Sequence, residues 1–146
     1  MRAWLIAALV SATLMLTGCA DEQWLDHRGN VVSPADLDER WVVVNYWAEW
    51  CAPCLHELPE FNRLAANPNV LVLGVNYDDV SGAALLELSD RMNIEFSVLG
   101  QDFEQSLKLE RPQVLPTTYI FDPDGTLQHS LPGPQTEQSL LALLDI

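Results

Sequence analysis

The sequence predicts an α/β sandwich: a mixed central sheet flanked by helices. Three observations carry this expectation. Two β-branched and aromatic runs, Trp41–Trp47 and Val70–Asn76, alternate with stretches of helical spacing. Two more strand candidates near the end are joined by Asp122-Pro123-Asp124-Gly125, a turn with a clear mechanism. The length of 146 residues suits one domain around one core, and no internal repeat or low-complexity segment interrupts it.

Residues 1–18 do not read as part of that core. Arg2 is the only charge before Asp21, and Trp4–Leu16 is a nearly unbroken apolar run. The run is shorter than the roughly 20 residues a membrane span needs. A positive start, a short apolar stretch and small residues at its end describe a secretory signal peptide, expected to be removed. Leu16-Thr17-Gly18-Cys19 resembles the lipobox of bacterial lipoprotein precursors. That resemblance implies cleavage before Cys19, which becomes the acylated N-terminus and holds the protein on a membrane. Residues 19–23 then form a short tether, of which Ala20–Gln23 span on the order of 14 Å. A single domain follows over residues 24–146.

Along that domain, His27-Arg28-Gly29-Asn30 is a turn signal between apolar positions and predicts an early hairpin over residues 26–33. Trp41–Trp47 has few polar residues, as a strand buried on both faces should. A helix is expected from Ala52 to about Ala66, and Val70–Asn76 is the second buried strand. Leucines and alanines at helical spacing predict a helix over Ser81–Met92, with Asp79 or Ser81 as its cap. Pro116–Phe121 and Thr126–Leu131 are the hairpin strands, Gly133-Pro134 stops the sheet, and Thr136–Leu144 reads as a closing helix.

Charge narrows the partners. The chain has 7 Lys/Arg against 21 Asp/Glu, a formal charge of −14. Removing residues 1–18 takes away Arg2 and no acid, so the mature charge is −15. Such a surface disfavours nucleic acid and anionic headgroups.

Cysteine use narrows the chemistry. With Cys19 assigned to lipid, only Cys51 and Cys54 remain. Two cysteines so close cannot form a general disulfide framework, and the short loop between them constrains little chain entropy. Redox exchange or metal binding is left. Trp50-Cys51-Ala52-Pro53-Cys54 sits where a buried strand should end and a helix begin. Unpaired N–H groups and the helix dipole favour thiolate there, lowering a thiol pKa from about 8.5 to roughly 3.5–7.5. Cys51 is the expected nucleophile and Cys54 the resolving thiol.

The run Asn45-Tyr46-Trp47-Ala48-Glu49-Trp50-Cys51-Ala52-Pro53-Cys54 resembles the active-site strand and turn of the thioredoxin superfamily, within it the TlpA/ResA-like membrane-tethered members. Pro59 matches the proline of the active-site helix, Leu115-Pro116-Thr117-Thr118 the cis-proline loop, and Gly133 the glycine before the last helix. The resemblance covers nearly all of the mature chain and implies a thioredoxin-like three-layer sandwich. It implies further that the bond before Pro116 is cis, that its loop faces Cys51, and that the Leu115 backbone pairs with an extended client. Trp50 is expected to rim that substrate groove, and Trp47 to lie in the core.

One departure is informative. Thioredoxins carry a buried aspartate six residues before the first cysteine, where this chain has Asn45, which cannot accept a proton. Glu57 stands three residues after Cys54, on the same helix face. TlpA/ResA-like members carry a glutamate there, two residues before a proline, and Glu57-Leu58-Pro59 matches. Partial burial would raise its pKa toward neutrality and suit it to general-base work.

Other candidates read as structural. Cys51-x-x-Cys54-x-His56 lacks the second ligand pair of a zinc site and misses the haem-attachment pattern by one residue. No metal and no cofactor beyond the cysteine pair are expected, and His27, His56 and His129 are expected to be solvated. Gly74-Val75-Asn76-Tyr77 resembles the cytochrome c maturation thioredoxins, although Thr117 stands where those carry an acid.

The leading expectation is therefore an extracytoplasmic, membrane-anchored lipoprotein, on the periplasmic face in a Gram-negative cell. It reduces disulfides of client proteins, is recharged by a membrane electron donor, and is a monomer. A disulfide-forming oxidase or isomerase shares every residue named. The two differ in potential, by roughly 7 kcal/mol between the extremes of about −270 and −120 mV. Ala52-Pro53 resembles the reducing pair more than the His-containing pairs of oxidants. A copper-handling chaperone of this fold would want three residues between its cysteines and a distant histidine, and a thiol peroxidase a different cysteine setting.

Overall fold

The computed structural model describes residues 22–144 and 146, so the predicted signal segment and Cys19 lie outside the described residues. Seven strands and five helices follow one another within them. A hairpin of β1 (Trp24–Leu25) and β2 (Val31–Val32) leads through α1 (Pro34–Leu37) to β3 (Trp41–Trp47). Next come α2 (Ala52–Ala65), β4 (Val70–Asn76), α3 (Gly82–Arg91), β5 (Ser97–Leu99) and α4 (Gln101–Ser106). The chain closes with β6 (Thr117–Phe121), β7 (Leu127–Pro132) and α5 (Glu137–Leu141).

The central sheet has the order β5-β4-β3-β6-β7. β3 pairs parallel to β4 from Trp41↔Val70 to Trp47↔Asn76, and β4 pairs parallel to β5. β6 runs antiparallel to β3, with Tyr46 opposite Thr117, and β7 antiparallel to β6. The sheet is mixed because helical crossovers return β3, β4 and β5 in one sense, whereas the Asp122–Gly125 turn reverses the chain directly.

Alternation along β3 divides the core. Val43 and Trp47 face a cluster containing Leu58, Phe61 and Leu64 of α2, Leu85 and Leu88 of α3 and Leu140 of α5. Val42, Val44 and Tyr46 face a second cluster with Trp24, Val32 and Phe103 of α4. Both faces are covered, which gives the three layers. At Gly74 the first cluster leaves no free room for a side chain: a Cβ there would lie 2.9 Å from the Phe96 ring and 3.2 Å from Trp47 Nε1, so a neighbour would have to shift.

Three elements go beyond the sequence reading. β5 and α4 span three and six residues, too few for a hydrophobic period to show. α1 is one turn, opened by Ser33 and Pro34, with the Asp36 carboxylate accepting the Ser33 N–H at 2.8 Å. The closing helix is also shorter than expected, ending at Leu141.

His27 requires a correction, because it is not solvated. Its N–H donates to Val98 O at 2.9 Å, and Val98 N–H donates to its Nδ1 at 3.1 Å. The residue thus closes the outer edge of β5 as a strand would, with an imidazole nitrogen in place of a carbonyl. Beside it, buried Asp26 accepts from Ser97 Oγ at 2.8 Å and from Asn30 N–H at 2.8 Å. Burial, reinforced by the Arg28 guanidinium, holds the His27 pKa below its ordinary value.

Candidate active site

β3 ends at Trp47, and the chain turns through Ala48–Trp50 into α2, which places Cys51 at the N-cap. Cys51 and Cys54 are joined by a disulfide, with Cα atoms 5.2 Å apart. The Cys54 N–H donates to Cys51 Sγ at 3.3 Å, so this sulfur occupies the capping position of the helix. An N–H aimed at that sulfur, together with the positive end of the dipole, stabilises thiolate once the bond is reduced. Cys51 is 5% exposed and Cys54 0%. Only Cys51 has any outward face.

Glu57 lies one turn after Cys54 and is 2% exposed. Its Oε1 accepts from Asn45 Nδ2 of β3 at 2.7 Å, and its Oε2 accepts the Gln135 N–H at 2.9 Å. Burial pushes its pKa up to about 7, against the lowering effect of the Gln135 and Asn45 hydrogen bonds. A carboxyl poised there can take or return a proton at neutral pH. Pro59 follows within the helix, where it lacks the N–H that Leu55 O would otherwise receive.

The Leu115–Pro116 bond is cis. Because Tyr46 pairs with Thr117, this loop lies at the same end of the sheet as Cys51. Leu115 packs against the core cluster that includes both cysteines, while Val114 beside it is 57% exposed. Thr117 Oγ1 donates to Val114 O at 2.7 Å, and Gly133 N–H donates to Pro116 O at 2.8 Å.

Trp50 is 66% exposed but not loose. Its Nε1 donates to Asp78 Oδ2 at 2.9 Å, and its ring meets Tyr77 edge-on with centroids 6.4 Å apart. Arg111 stacks over Tyr77 at 4.8 Å and bridges Asp79 and Glu104. The loop after β4 therefore buttresses the Trp50 ring. Of the two capping candidates, Ser81 holds the N-cap position of α3, without a side-chain bond, while Asp79 pairs with Arg111. Asn76 instead organises the turn, its Oδ1 accepting from Asp78 N–H and Val80 N–H. None of these partnerships was readable beforehand, although the polar cluster after a buried strand was the available signal.

His56 is exposed on α2, and His129 is half-buried on β7. Among the described residues, no group of three or more His, Cys, Asp or Glu side chains could hold a metal ion. Nor, among them, is any helix long and apolar enough to cross a membrane.

Residues 16–130 match the family model described as AhpC/TSA. The chain is 33% identical over 103 residues to the thiol:disulfide interchange protein DsbE of Pseudomonas aeruginosa, covering 70% of this chain and 56% of that protein. It is 25% identical over 118 residues to the thiol-disulfide oxidoreductase ResA of Geobacillus kaustophilus, covering 79% of this chain and 67% of that one. The chain thus spans little more than half of the first relative. Among solved structures, a DsbE-type thiol:disulfide interchange protein from Chlorobium tepidum superposes with a TM-score of 0.66 at 27% identity, over 84% of this chain and 92% of that one. The fold is thioredoxin-like.

Proposed function

This chain belongs to the AhpC/TSA family, and we propose that it is an extracytoplasmic thiol–disulfide oxidoreductase that reduces disulfides of client proteins. The observation that carries the reading is the Cys51–Cys54 pair at the start of α2, with Cys51 Sγ held by the Cys54 N–H and Glu57 buried one turn on.

The cycle starts from the dithiol. Cys51 thiolate attacks one sulfur of a client disulfide, and the other client sulfur leaves as a thiolate that takes a proton from solvent. Cys54 Sγ–H then gives its proton to Glu57, and its sulfur attacks Cys51 Sγ. The mixed disulfide breaks, the second client sulfur departs with the electron pair, and the proton on Glu57 returns to it or to solvent. Two electrons have moved to the client, leaving the Cys51–Cys54 disulfide. Trp50, Leu115 and Pro116 form the groove that presents the client, with the Leu115 backbone as its pairing edge. A membrane electron donor reduces the pair again.

The sequence of residues 1–23 supports a removed signal peptide and lipid attachment at Cys19, which would hold a monomeric domain over residues 24–146 beside its membrane. Gly74-Val75-Asn76-Tyr77 supports cytochrome c maturation as the client pathway. The chemistry itself calls for no cofactor beyond the cysteine pair. A Cys54→Ser variant tests the core of the proposal. It should accumulate client proteins disulfide-bonded to Cys51, released by reductant and absent when Cys51 is also replaced. No trapped client in the exported fraction would refute it.

A further inference from the structure

Glu57 can serve as a proton acceptor only if both of its protonation states are tolerated inside the core. One oxygen has a partner that cannot reverse: Oε2 accepts the backbone N–H of Gln135, a donor in every state. A proton on the carboxyl therefore belongs on Oε1, where it needs an acceptor. In the ionised form Oε1 needs a donor instead. Two side chains meet that oxygen's surroundings. Asn45 Nδ2 lies 2.7 Å from Oε1 and 3.3 Å from Thr118 Oγ1, and both residues are 0% exposed.

The other end of the Asn45 amide supplies the clue. Its Oδ1 is buried and has no hydrogen-bond partner. A buried polar atom left unpartnered loses its bond to water without gaining another, so it calls for an explanation. We infer that Asn45 is a positioning residue whose amide turns over when Glu57 gains or loses its proton, so that the carboxyl stays hydrogen-bonded in both states. With Glu57 ionised, Nδ2 donates to Oε1 and to the Thr118 hydroxyl. With Glu57 protonated, a half-turn of the amide brings Oδ1 to the same place, where it accepts from Oε1–H. The Thr118 hydroxyl, which can donate or accept, reverses with it. The half-turn exchanges the unpartnered Oδ1 for an unpartnered Nδ2, so neither orientation satisfies the whole amide.

This accounts for an amide at position 45. An aspartate would set a second carboxylate against Glu57, and like charges so close cannot both ionise readily. An aliphatic side chain would leave Oε1 unpartnered in either state. Among the described residues, the nearby surface charges Glu60, Arg63 and Glu137 pair among themselves. Besides Glu57, the titratable groups at this end of α2 are the two cysteines, which are joined here, and His56, which is exposed to solvent.

The inference rests on the reading of Glu57 as the proton acceptor, but its test reads Asn45 directly. In the isotope-labelled full chain, NMR should show an Asn45 side-chain N–H to Thr118 contact above the Glu57 titration midpoint. That contact should weaken below it with the same midpoint. An identical pattern on both sides would overturn the turning amide. Asn45→Ala should move the Glu57 carboxyl midpoint upward, because the ionised form loses the stronger, charge-assisted bond. An unmoved midpoint in a folded variant would count equally against it, and the wild-type contact remains decisive if the variant does not fold. Glu57→Gln separates the two ideas. Normal mixed-disulfide resolution in that variant refutes the proton-acceptor role, whatever the Asn45 signals show.

Discussion

Glu57 Oε2 accepts the N–H of Gln135, a residue 78 positions further along the chain. Gly133, two residues before it, donates its N–H to Pro116 O. One short segment therefore fastens both the buried acid of the active-site helix and the loop carrying the cis-proline. Holding an acid there has a stability consequence. Its pKa is raised to about 7 from 4.5, so the folded protein binds more protons than the unfolded chain between those values. Stability should fall as pH rises through that window and level off above it, by on the order of 3 kcal/mol from this group. Denaturant unfolding at pH 5 and pH 8 should show the slope in the native sequence and its loss in Glu57→Gln. An equal slope in both would contradict the assignment.

What the sequence disclosed, and what it withheld, follows from range. β3 and β4 are legible because each is seven residues of mostly apolar chain with three valines. The cysteine pair and Glu57 were legible because helical spacing relates neighbours. The bonds from Asn45 and Gln135 to Glu57 cross 12 and 78 residues, and only the assembled fold sets them. β5 escaped because three residues carry no period. His27 was misplaced for a related reason: a turn composition predicts solvent, but the hairpin folds back on the β5 edge, where its imidazole replaces a strand partner.

That edge contact yields a second pH effect of opposite sign. His27 Nδ1 must be unprotonated to accept from Val98 N–H, and the pKa is depressed below 6.5 by burial first and Arg28 second. The unfolded chain therefore binds the proton more readily, and stability from this group is lost as pH falls below 6.5 toward the folded value. Hydrogen exchange at the Val98 amide, corrected for its intrinsic pH dependence, should accelerate between pH 7 and pH 5. Unchanged protection would show that the imidazole does not hold the edge.

Gly74 provides a packing test. Its missing Cβ would fall 2.9 Å from Phe96 Cε2 and 3.2 Å from Val98 Cγ2. Gly74→Ala should destabilise by about 1–3 kcal/mol, as overpacking does elsewhere. A shift in the unfolding midpoint checks this, and a neutral result would mean that Phe96 yields freely.

Trp50 should matter for clients more than for the fold. It is exposed, yet fixed by Asp78 and Tyr77, where the proposed groove would lie. Trp50→Ala should change stability by no more than about 0.5 kcal/mol. It should lower kcat/KM toward a protein disulfide by roughly tenfold or more, the scale expected of an anchoring aromatic. Equal turnover of protein disulfides would remove Trp50 from the groove.

Whether Cys51 and Cys54 work as a reductant is decided by the reduction potential of the pair. With Ala52-Pro53 between the cysteines, the prediction is a value nearer the thioredoxin end of about −270 mV than the strong-oxidant end of about −120 mV. A potential close to the oxidant end would rule out the reductase and make the protein a disulfide donor.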